Sequence, residues 1–276
     1  MLTKICQRTR PAVSRAFSTP VWINKSEDLS YTTQPVSLDS RPRHFLHSTG
    51  AQWSPWHDIA LQPEGSDADV FNAVIEITRG TTEKMEIETT MQYNPIVQDQ
   101  KKDKTTGELK LRHYALPPPF NYGAIPRTWE NAQLEDKATG CIGDNDPLDV
   151  VDLTNRDMAL YEMPKLKILG SLCLIDQEEL DWKLLAIEES QARALGIKNV
   201  EDFNRLNPGA IKEIMEWFRV IKTYDGKPAN RFGYDDKVLG SDFTLEVISE
   251  NHQSYNDLIS GKIPNPDGLD LTVSRK

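Results

Sequence analysis

The chain has 276 residues and a mass of 31.3 kDa, which accommodates one large domain or two small ones. Its mean hydropathy is -0.54, and its longest apolar run, Leu166–Ile175, is interrupted by Lys167. A membrane helix needs about 20 consecutive apolar residues, so we expect no transmembrane segment. The formal net charge of -10 argues against a protein whose main task is to bind nucleic acid.

The amino-terminal segment differs from the rest of the chain in charge. The first acidic residue is Glu27, and the basic residues before Ser18 are Lys4, Arg8, Arg10 and Arg15. A basic segment of this composition is typical of a mitochondrial presequence, and Arg15–Ser18 is similar to a processing site that is cut after Phe17. We therefore predict a presequence at residues 1–17 and a mitochondrial location, with the matrix expected. A basic disordered tail is the alternative.

The cysteines fit that compartment. Loss of residues 1–17 would remove Cys6 and leave Cys141 and Cys173. Two thiols without a metal-type spacing favour a reducing compartment and no disulfide framework.

The remainder, residues 18–262, reads as one domain with strand-like segments first. Up to Gln62 the chain is polar, and its possible aromatic anchors are Trp22, Phe45, Trp53 and Trp56. Short apolar runs between Gly, Pro, Asn and Asp clusters then predict strands. These runs are Phe71–Ile77, Lys84–Thr89, Asp149–Leu153, Leu166–Ile175 and Trp182–Ile187.

Two helices are predicted after the strands. Asn207 and Pro208 form a favourable N-cap and first-turn pair, and the apolar residues that follow at helical spacing are Ile211, Ile214, Met215 and Phe218. The second helix begins near Ser241 and stops at Gly261. Strands followed by helices indicate an α+β domain. We expect residues 263–276 to form a flexible tail.

The densest group of acids lies in Gly143–Val150, which holds Asp144, Asp146 and Asp149. Like charges this close repel one another unless a cation neutralises them, and hard oxygen ligands suit Mg²⁺ or Mn²⁺. An EF-hand does not fit, because the sixth and twelfth positions are Asp149 and Asn155 rather than Gly and Glu. The spacing alone is also found in acidic loops that cap helices or face solvent.

More charged residues occur in the strand-like segments. Lys84 and Glu86 are two apart and share a strand face, and Glu76 lies across the turn-like segment Arg79–Thr82, where it could reach them. The other candidates of this kind are Asp176, Asp181 and Lys183. An exposed, salt-bridged strand face is the alternative for each pair. Their coincidence in one domain favours a metal-assisted anion site.

Together these residues resemble the soluble inorganic pyrophosphatases (family I) of the eukaryotic type. The most specific match is DNDPLDV at Asp144–Val150, which is the family signature, and Glu76, Lys84 and Glu86 repeat the family's Glu-x7-Lys-x-Glu pattern. Other matching segments are NPIVQD at 94–99, NYG at 121–123, IPRTWE at 125–130, DQEELDWK at 176–183, EWFR at 216–219 and DGKP at 225–228. The resemblance covers residues 70–258 well, and with the presequence it implies a mitochondrial form.

The resemblance implies an OB-like five-stranded β-barrel with flanking C-terminal helices. It also implies a homodimer that hydrolyses pyrophosphate to two phosphates with several Mg²⁺ ions per active site. Pyrophosphate is a polyanion, so attack by water is repelled until metals neutralise its charge and lower the pKa of a shared water. Lysines then stabilise charge on the transferring and leaving groups.

Roles for individual residues follow from matching positions. The resemblance makes Asp146 the residue that bridges two metals with the attacking water and accepts its proton. The other implied metal ligands are Asp144, Asp149, Asp176, Asp181, Glu86 and, partly through water, Glu76. The implied phosphate contacts are Lys84, Tyr122, Lys183 and Lys222, of which Lys84 and Tyr122 join Asp146 as catalytic residues. Arg112 or Lys110 fills the family's arginine position, depending on the alignment.

Two family tyrosines are missing from this chain. The position four before Tyr122 is Pro118, and the position before Lys222 is Ile221, which cannot donate to phosphate. Tyr114 is an open candidate to substitute for a missing tyrosine, and we assign it no role. Because every metal-binding acid of the pattern is present, we predict an active enzyme, slowed by about one or two decades.

Two other classes of protein remain as alternatives. One is a catalytically impaired paralogue that binds metal or phosphate and acts through a partner protein. The other is an OB-type nucleic-acid module, which needs a basic groove interleaved with aromatic residues. Loss of the four basic residues of the presequence would leave a charge of about -14, which opposes nucleic-acid binding.

Overall fold

The computed structural model describes residues 29–34, 41–48, 50–103 and 105–274. The predicted presequence at residues 1–17, Cys6 and Trp22 lie outside the described residues. The strands, numbered in chain order, are β1 (Leu29–Gln34), β2 (Arg43–Ser48), β3 (Ala51–Trp53), β4 (Val70–Asn72), β5 (Val74–Ile77), β6 (Met85–Ile87), β7 (Ile96–Gln98), β8 (Gln100–Lys102), β9 (Leu109–Leu111), β10 (Asn121–Ala124), β11 (Ile142–Gly143), β12 (Asp149–Asp152), β13 (Lys165–Asp176), β14 (Glu179–Glu188), β15 (Arg231–Phe232) and β16 (Leu239–Gly240). The α-helices are α1 (Glu189–Leu195), α2 (Val200–Leu206), α3 (Ala210–Val220) and α4 (Ser241–Ile259), and short 3₁₀ helices span Ile221–Asp225 and Tyr234–Asp236.

Five consecutive strands of the larger sheet, in the order β13-β14-β12-β10-β5, build a barrel. β12 runs parallel to β14, whereas the other pairs are antiparallel. β4 and β5 are one extended stretch interrupted at Ala73, in which β4 pairs with β13 and β5 pairs with β10. Because this stretch pairs with both edges, the sheet closes on itself. The α+β class and the OB-like five-stranded barrel with C-terminal helices are therefore confirmed.

A second sheet, in the order β1-β2-β7-β6 with β3 paired to β2, packs beside the barrel. It contains the polar amino-terminal part of the chain, and the predicted anchors Phe45, Trp53 and Trp56 are buried. Trp53 and Trp56 share a core cluster with Tyr255 and Leu258 of α4. This packing holds β6, and with it Glu86, against the barrel.

The barrel strands separate two apolar cores because successive side chains point to opposite faces. On β14, Leu184 and Ala186 belong to the cluster that α4 covers. Leu185 and Ile187 belong to the cluster that α1, α2 and α3 cover. Lys183 has the same parity as Leu185, so it lies on the face that is covered by α3.

The helical region corrects the sequence prediction in two places. The seven-residue helices α1 and α2 were not predicted, and the next helix begins at Ala210 rather than at Pro208. The Asn207 N–H bonds to the Phe203 carbonyl and ends α2, and Gly209 caps α3 with a left-handed φ of 89°. The segment from Asn207 to Gly209 is therefore a turn between two helices. The predicted second helix is confirmed as α4, with Gly261 just beyond its end.

The carboxyl-terminal segment corrects the prediction of a flexible tail for residues 263–274. It has no regular secondary structure, yet Leu269 is only 5% exposed. The Asp270 carbonyl accepts hydrogen bonds from His57 Nε2 at 2.9 Å and Asn94 Nδ2 at 3.1 Å, and the Ser274 N–H bonds to the Asp58 carboxylate. Burial and these hydrogen bonds offset the entropy that ordering the segment costs.

Two further predictions concern the cysteines and membrane-spanning helices. Cys141 and Cys173 are buried free thiols, as the absence of a disulfide framework predicted. Within the described part of the chain, no helix is both long and apolar enough to span a bilayer.

Candidate active site

A cavity of about 220 Å³ opens between the barrel, β6 and the end of α3. Its wall contains eight carboxylates and three lysines. The carboxylates are Glu76, Glu86, Asp144, Asp146, Asp149, Asp176, Glu179 and Asp181, and the lysines are Lys84, Lys183 and Lys222. Tyr122 lines the same cavity. The structure thus brings together every site residue that the sequence singled out, apart from Arg112.

Strands β12 and β14 place one lysine between two carboxylates. Asp149 pairs with Lys183 across the parallel strands, and Asp181 lies two residues before Lys183 on the same face. The Lys183 ammonium donates to both carboxylates and, at 2.8 Å, to the Tyr122 hydroxyl. Burial lowers the pKa of Lys183, but Asp149 and Asp181 outweigh it and raise that pKa overall. The lysine therefore stays charged although its side chain is only 3% exposed.

The second lysine, Lys84, directly precedes β6. Lys84 donates to the Glu86 carboxylate and, at 3.0 Å, to Asp99. Glu76 of β5 contacts β6, where its carboxylate accepts the Ile87 N–H at 2.7 Å. Burial, with the nearby Asp149 charge, raises the pKa of Glu76 well above its usual value. The predicted proximity of Glu76, Lys84 and Glu86 is thus seen in the fold.

The third lysine lies at the end of the β13–β14 hairpin. Asp176 is the last residue of β13, and its carboxylate contacts the Lys222 ammonium at 2.5 Å. Lys222 belongs to the 3₁₀ helix that follows α3. The other oxygen of Asp176, Oδ1, is buried without a hydrogen-bond partner among the described residues. An oxygen of this kind suits a cation.

The acidic loop before β12 is fixed by its backbone. Asn145 adopts a left-handed φ of 77°, which Asn tolerates better than most residues. The Asn145 N–H bonds to the Glu130 carbonyl at 3.0 Å, and the Glu130 N–H bonds to the Asp146 carbonyl at 2.8 Å. A Cβ at Gly143 would lie 2.4 Å from the Glu130 carbonyl carbon. Glycine is therefore required for the loop to lie this close to the Glu130 segment.

Glu130 is a carboxylate that sequence reasoning missed. It is 2% exposed, and single carboxylate oxygens of Glu130, Asp144 and Asp181 lie within 4.8 Å of one another. Glu130 Oε1 accepts the Trp182 N–H at 2.8 Å, and Oε2 has no partner in the described structure. Only its place in the matched IPRTWE segment could have pointed to it, because the other acids of its cluster, Asp144 and Asp181, lie far from it in sequence.

These carboxylates hold their protons more tightly than isolated ones. Burial, together with Glu86 and Asp149, raises the pKa of Asp146 to about 8. Burial also raises the pKa of Asp181 to about 7, although Lys183 opposes the shift. Crowded carboxylates with unpartnered oxygens are a hard-oxygen donor set, which fits a divalent cation such as Mg²⁺.

Arg112 lies beside the main cavity rather than in it. It lines a smaller cavity of about 20 Å³ that also contacts Lys84, and its guanidinium pairs with Asp99 at 2.5 Å. Lys110 is instead exposed and pairs with Asp103 at 2.6 Å. Of the two alignments that the sequence left open, the structure favours Arg112.

Of the two positions that lack a family tyrosine, only one lies at the cavity. Ile221 lines the cavity and offers no donor there. Pro118 is not among the residues that line it. Tyr114, to which the sequence analysis assigned no role, also lines the cavity.

A closed five-stranded barrel with a cavity of crowded carboxylates and three lysines is the architecture of a metal-dependent hydrolase of phosphoric anhydrides. The family model described as inorganic pyrophosphatase matches residues 73–256. The chain belongs to the inorganic pyrophosphatase family, and it hydrolyses pyrophosphate to phosphate.

Individual relatives agree with this assignment. The chain is 38% identical over 260 residues to soluble inorganic pyrophosphatase 6, chloroplastic, of Arabidopsis thaliana, covering 94% of this chain and 82% of the relative. It is 36% identical over 255 residues to inorganic pyrophosphatase 2, mitochondrial, of Mus musculus, covering 86% and 75%. The solved structure of inorganic pyrophosphatase from Schistosoma japonicum superposes with a TM-score of 0.82 at 30% identity, covering 90% of this chain and 87% of that one.

Proposed function

We propose that this pyrophosphatase uses Mg²⁺, with several ions per active site, and that Asp146 is its general base. The observation that carries the proposal is the imbalance in the cavity, where eight carboxylates face three lysines. Such a cavity would repel a polyanionic substrate unless cations bind first. The unpartnered oxygens of Glu130 and Asp176 support the same conclusion.

We assign the cavity carboxylates to different metal ions. Mg²⁺ would be held by Asp144, Asp146, Asp149 and Asp181. Further ions would be held by Asp176, Glu86 and, partly through water, Glu76. Glu130 lies within ligand distance of Asp144 and Asp181 and adds to the first group. When bound, Mg²⁺ neutralises phosphate charge and lowers the pKa of a coordinated water.

The protein supplies a base and charged donors. Asp146 would accept the proton of the attacking water. Lys84, Lys183 and Lys222, which line the cavity, would donate to phosphate oxygens. Tyr122 adds a neutral hydroxyl donor. Arg112, beside Lys84, would bind phosphate at the edge of the cavity.

The test is phosphate release from pyrophosphate by the full chain across a Mg²⁺ titration. Release should rise with Mg²⁺, stop in EDTA and return when Mg²⁺ is added back. Mn²⁺ in place of Mg²⁺ gives the metal preference. Release that persists in EDTA would contradict the metal requirement.

We also propose a mitochondrial form whose residues 1–17 are a transit peptide, with residues 18–262 as the catalytic domain. The basic composition of the segment supports this, and so does the similarity to the mouse mitochondrial relative. A fluorescent fusion of the full chain should enter mitochondria, whereas a fusion lacking residues 1–20 should not. Mitochondrial import of the truncated fusion would contradict the proposal.

The same family resemblance supports a homodimer. Light scattering after size-exclusion chromatography should give twice the mass of one chain. A single-chain mass at micromolar concentration would contradict it.

A further inference from the structure

Tyr114 presents a phenol to the active-site cavity. It lines both the main cavity and the small cavity beside Lys84. Its N–H bonds to the Thr82 carbonyl at 2.7 Å, which fixes its backbone. Its ring packs edge-on against Trp217, with centroids 5.1 Å apart. Two independent contacts therefore set the direction of the ring.

The Tyr114 hydroxyl has no hydrogen-bond partner among the described residues. The charged groups that act most strongly on its pKa are Lys84 and Lys183, which line the same cavity. Burial outweighs these lysines and raises the pKa of Tyr114 to about 12. The hydroxyl is therefore protonated at neutral pH and available as a donor.

The chain segment that follows Tyr114 is held in place by two hydrogen bonds. The Leu116 carbonyl accepts the Trp217 indole N–H at 3.2 Å, and the Pro118 carbonyl accepts the Gly80 N–H at 2.9 Å. These bonds fasten the proline-containing segment to its surroundings. Pro118 has no donor to offer, and Ile221 leaves its part of the cavity wall apolar.

We propose that Tyr114 is a catalytic residue whose hydroxyl donates a hydrogen bond to a phosphate oxygen of bound pyrophosphate. The proposal rests on the proposed function of the cavity. It assigns to Tyr114 a contact that neither Pro118 nor Ile221 can make. The donor comes from the segment between β9 and β10, and Trp217 of α3 orients it.

Tyr114→Phe tests this assignment because it removes the hydroxyl and keeps the ring that packs on Trp217. We expect kcat/KM for pyrophosphate to fall about 10- to 100-fold, the effect of losing a hydrogen bond to a charged group. Binding of inorganic phosphate in Mg²⁺, measured by calorimetry, should weaken, and the melting temperature should stay unchanged. Tyr31→Phe is the matched control, because Tyr31 is 47% exposed on β1, and it should leave all three quantities unchanged.

The outcomes separate this proposal from the function on which it rests. An active wild type with Tyr114→Phe within twofold of it in both kcat/KM and phosphate binding would overturn the role of Tyr114 and leave the pyrophosphatase activity intact. A wild type that releases no phosphate would overturn the function of the cavity itself. Lost activity accompanied by a clear fall in melting temperature would assign Tyr114 to packing and overturn its catalytic role.

Discussion

His57 is a buried histidine whose neutral form the fold requires. Its ring stacks on Trp56 with centroids 4.4 Å apart. Its Nε2 lies 2.9 Å from the Asp270 carbonyl, which can only accept, so Nε2 carries the proton. Its Nδ1 lies 2.9 Å from the Tyr255 hydroxyl and is left to accept from it. Protonation of Nδ1 would turn that hydroxyl from donor to acceptor and would place a positive charge on a buried ring.

The expected magnitude follows from the pKa of His57. Burial lowers it from 6.5 to about 4, and Arg127 adds to the shift, while the Asp270 carbonyl and charge oppose it. The unfolded chain therefore binds a proton more readily than the folded one, and stability falls as the pH drops from 6.5 towards 4. Between pH 7.5 and pH 5 this one group should cost the fold about 2 kcal/mol.

The assay compares urea unfolding of the wild type and His57→Gln at several pH values in EDTA. The site carboxylates titrate in both proteins, so their effect cancels in the difference. At pH 7.5 the variant should be less stable by about 1 kcal/mol, from the lost hydrogen bond. Acidification to pH 5 should reverse that deficit and leave the variant more stable than the wild type by about 1 kcal/mol, because glutamine does not titrate. A difference in stability that stays constant between pH 7.5 and pH 5 would refute the reasoning.

Three further predictions concern the site. Lys183→Met leaves two buried aspartates without their cation, so urea unfolding in EDTA should show a loss of about 3–5 kcal/mol; unchanged stability would contradict the charged, paired lysine. Glu130→Gln should weaken Mg²⁺ binding about 10- to 100-fold in calorimetry, whereas the exposed Glu135→Gln should not; equal affinities would remove Glu130 from the site. Gly143→Ala should destabilise the fold by about 1–3 kcal/mol, because its methyl group meets backbone at 2.4 Å, while Gly240→Ala has nothing within 4 Å and serves as the control.

Strand faces and long helices could be predicted, because the periodicity of their residues is visible within a short stretch of sequence. Lys84 and Glu86, like Asp181 and Lys183, are two apart, and the strand geometry puts each pair on one face as expected. The long amphipathic helix α4 was also predicted, since its apolar residues recur at helical spacing over nineteen residues. The helices α1 and α2 were missed because each has only seven residues, too few to show a helical period.

Features that depend on distant contacts could not be predicted. Glu130 joins Asp144 and Asp181 only because the backbone of Glu130 pairs with the acidic loop. Tyr114 reaches the cavity only because Trp217, a hundred positions away in the chain, supports its ring. Leu269 is buried because the segment that follows α4 folds back onto the barrel's neighbouring sheet. In each case the contacting residues lie too far apart in sequence for a local pattern to predict the contact.

The assignment of Asp146 as the base of a Mg²⁺-dependent pyrophosphatase is tested most directly by one comparison. Phosphate release from pyrophosphate in saturating Mg²⁺ is measured for the wild type, for Asp146→Asn and for Asp103→Asn, an acid outside the cavity that pairs with Lys110. We predict that Asp146→Asn lowers the rate about 100-fold or more, while Asp103→Asn keeps the wild-type rate. Normal turnover by Asp146→Asn would contradict the assignment.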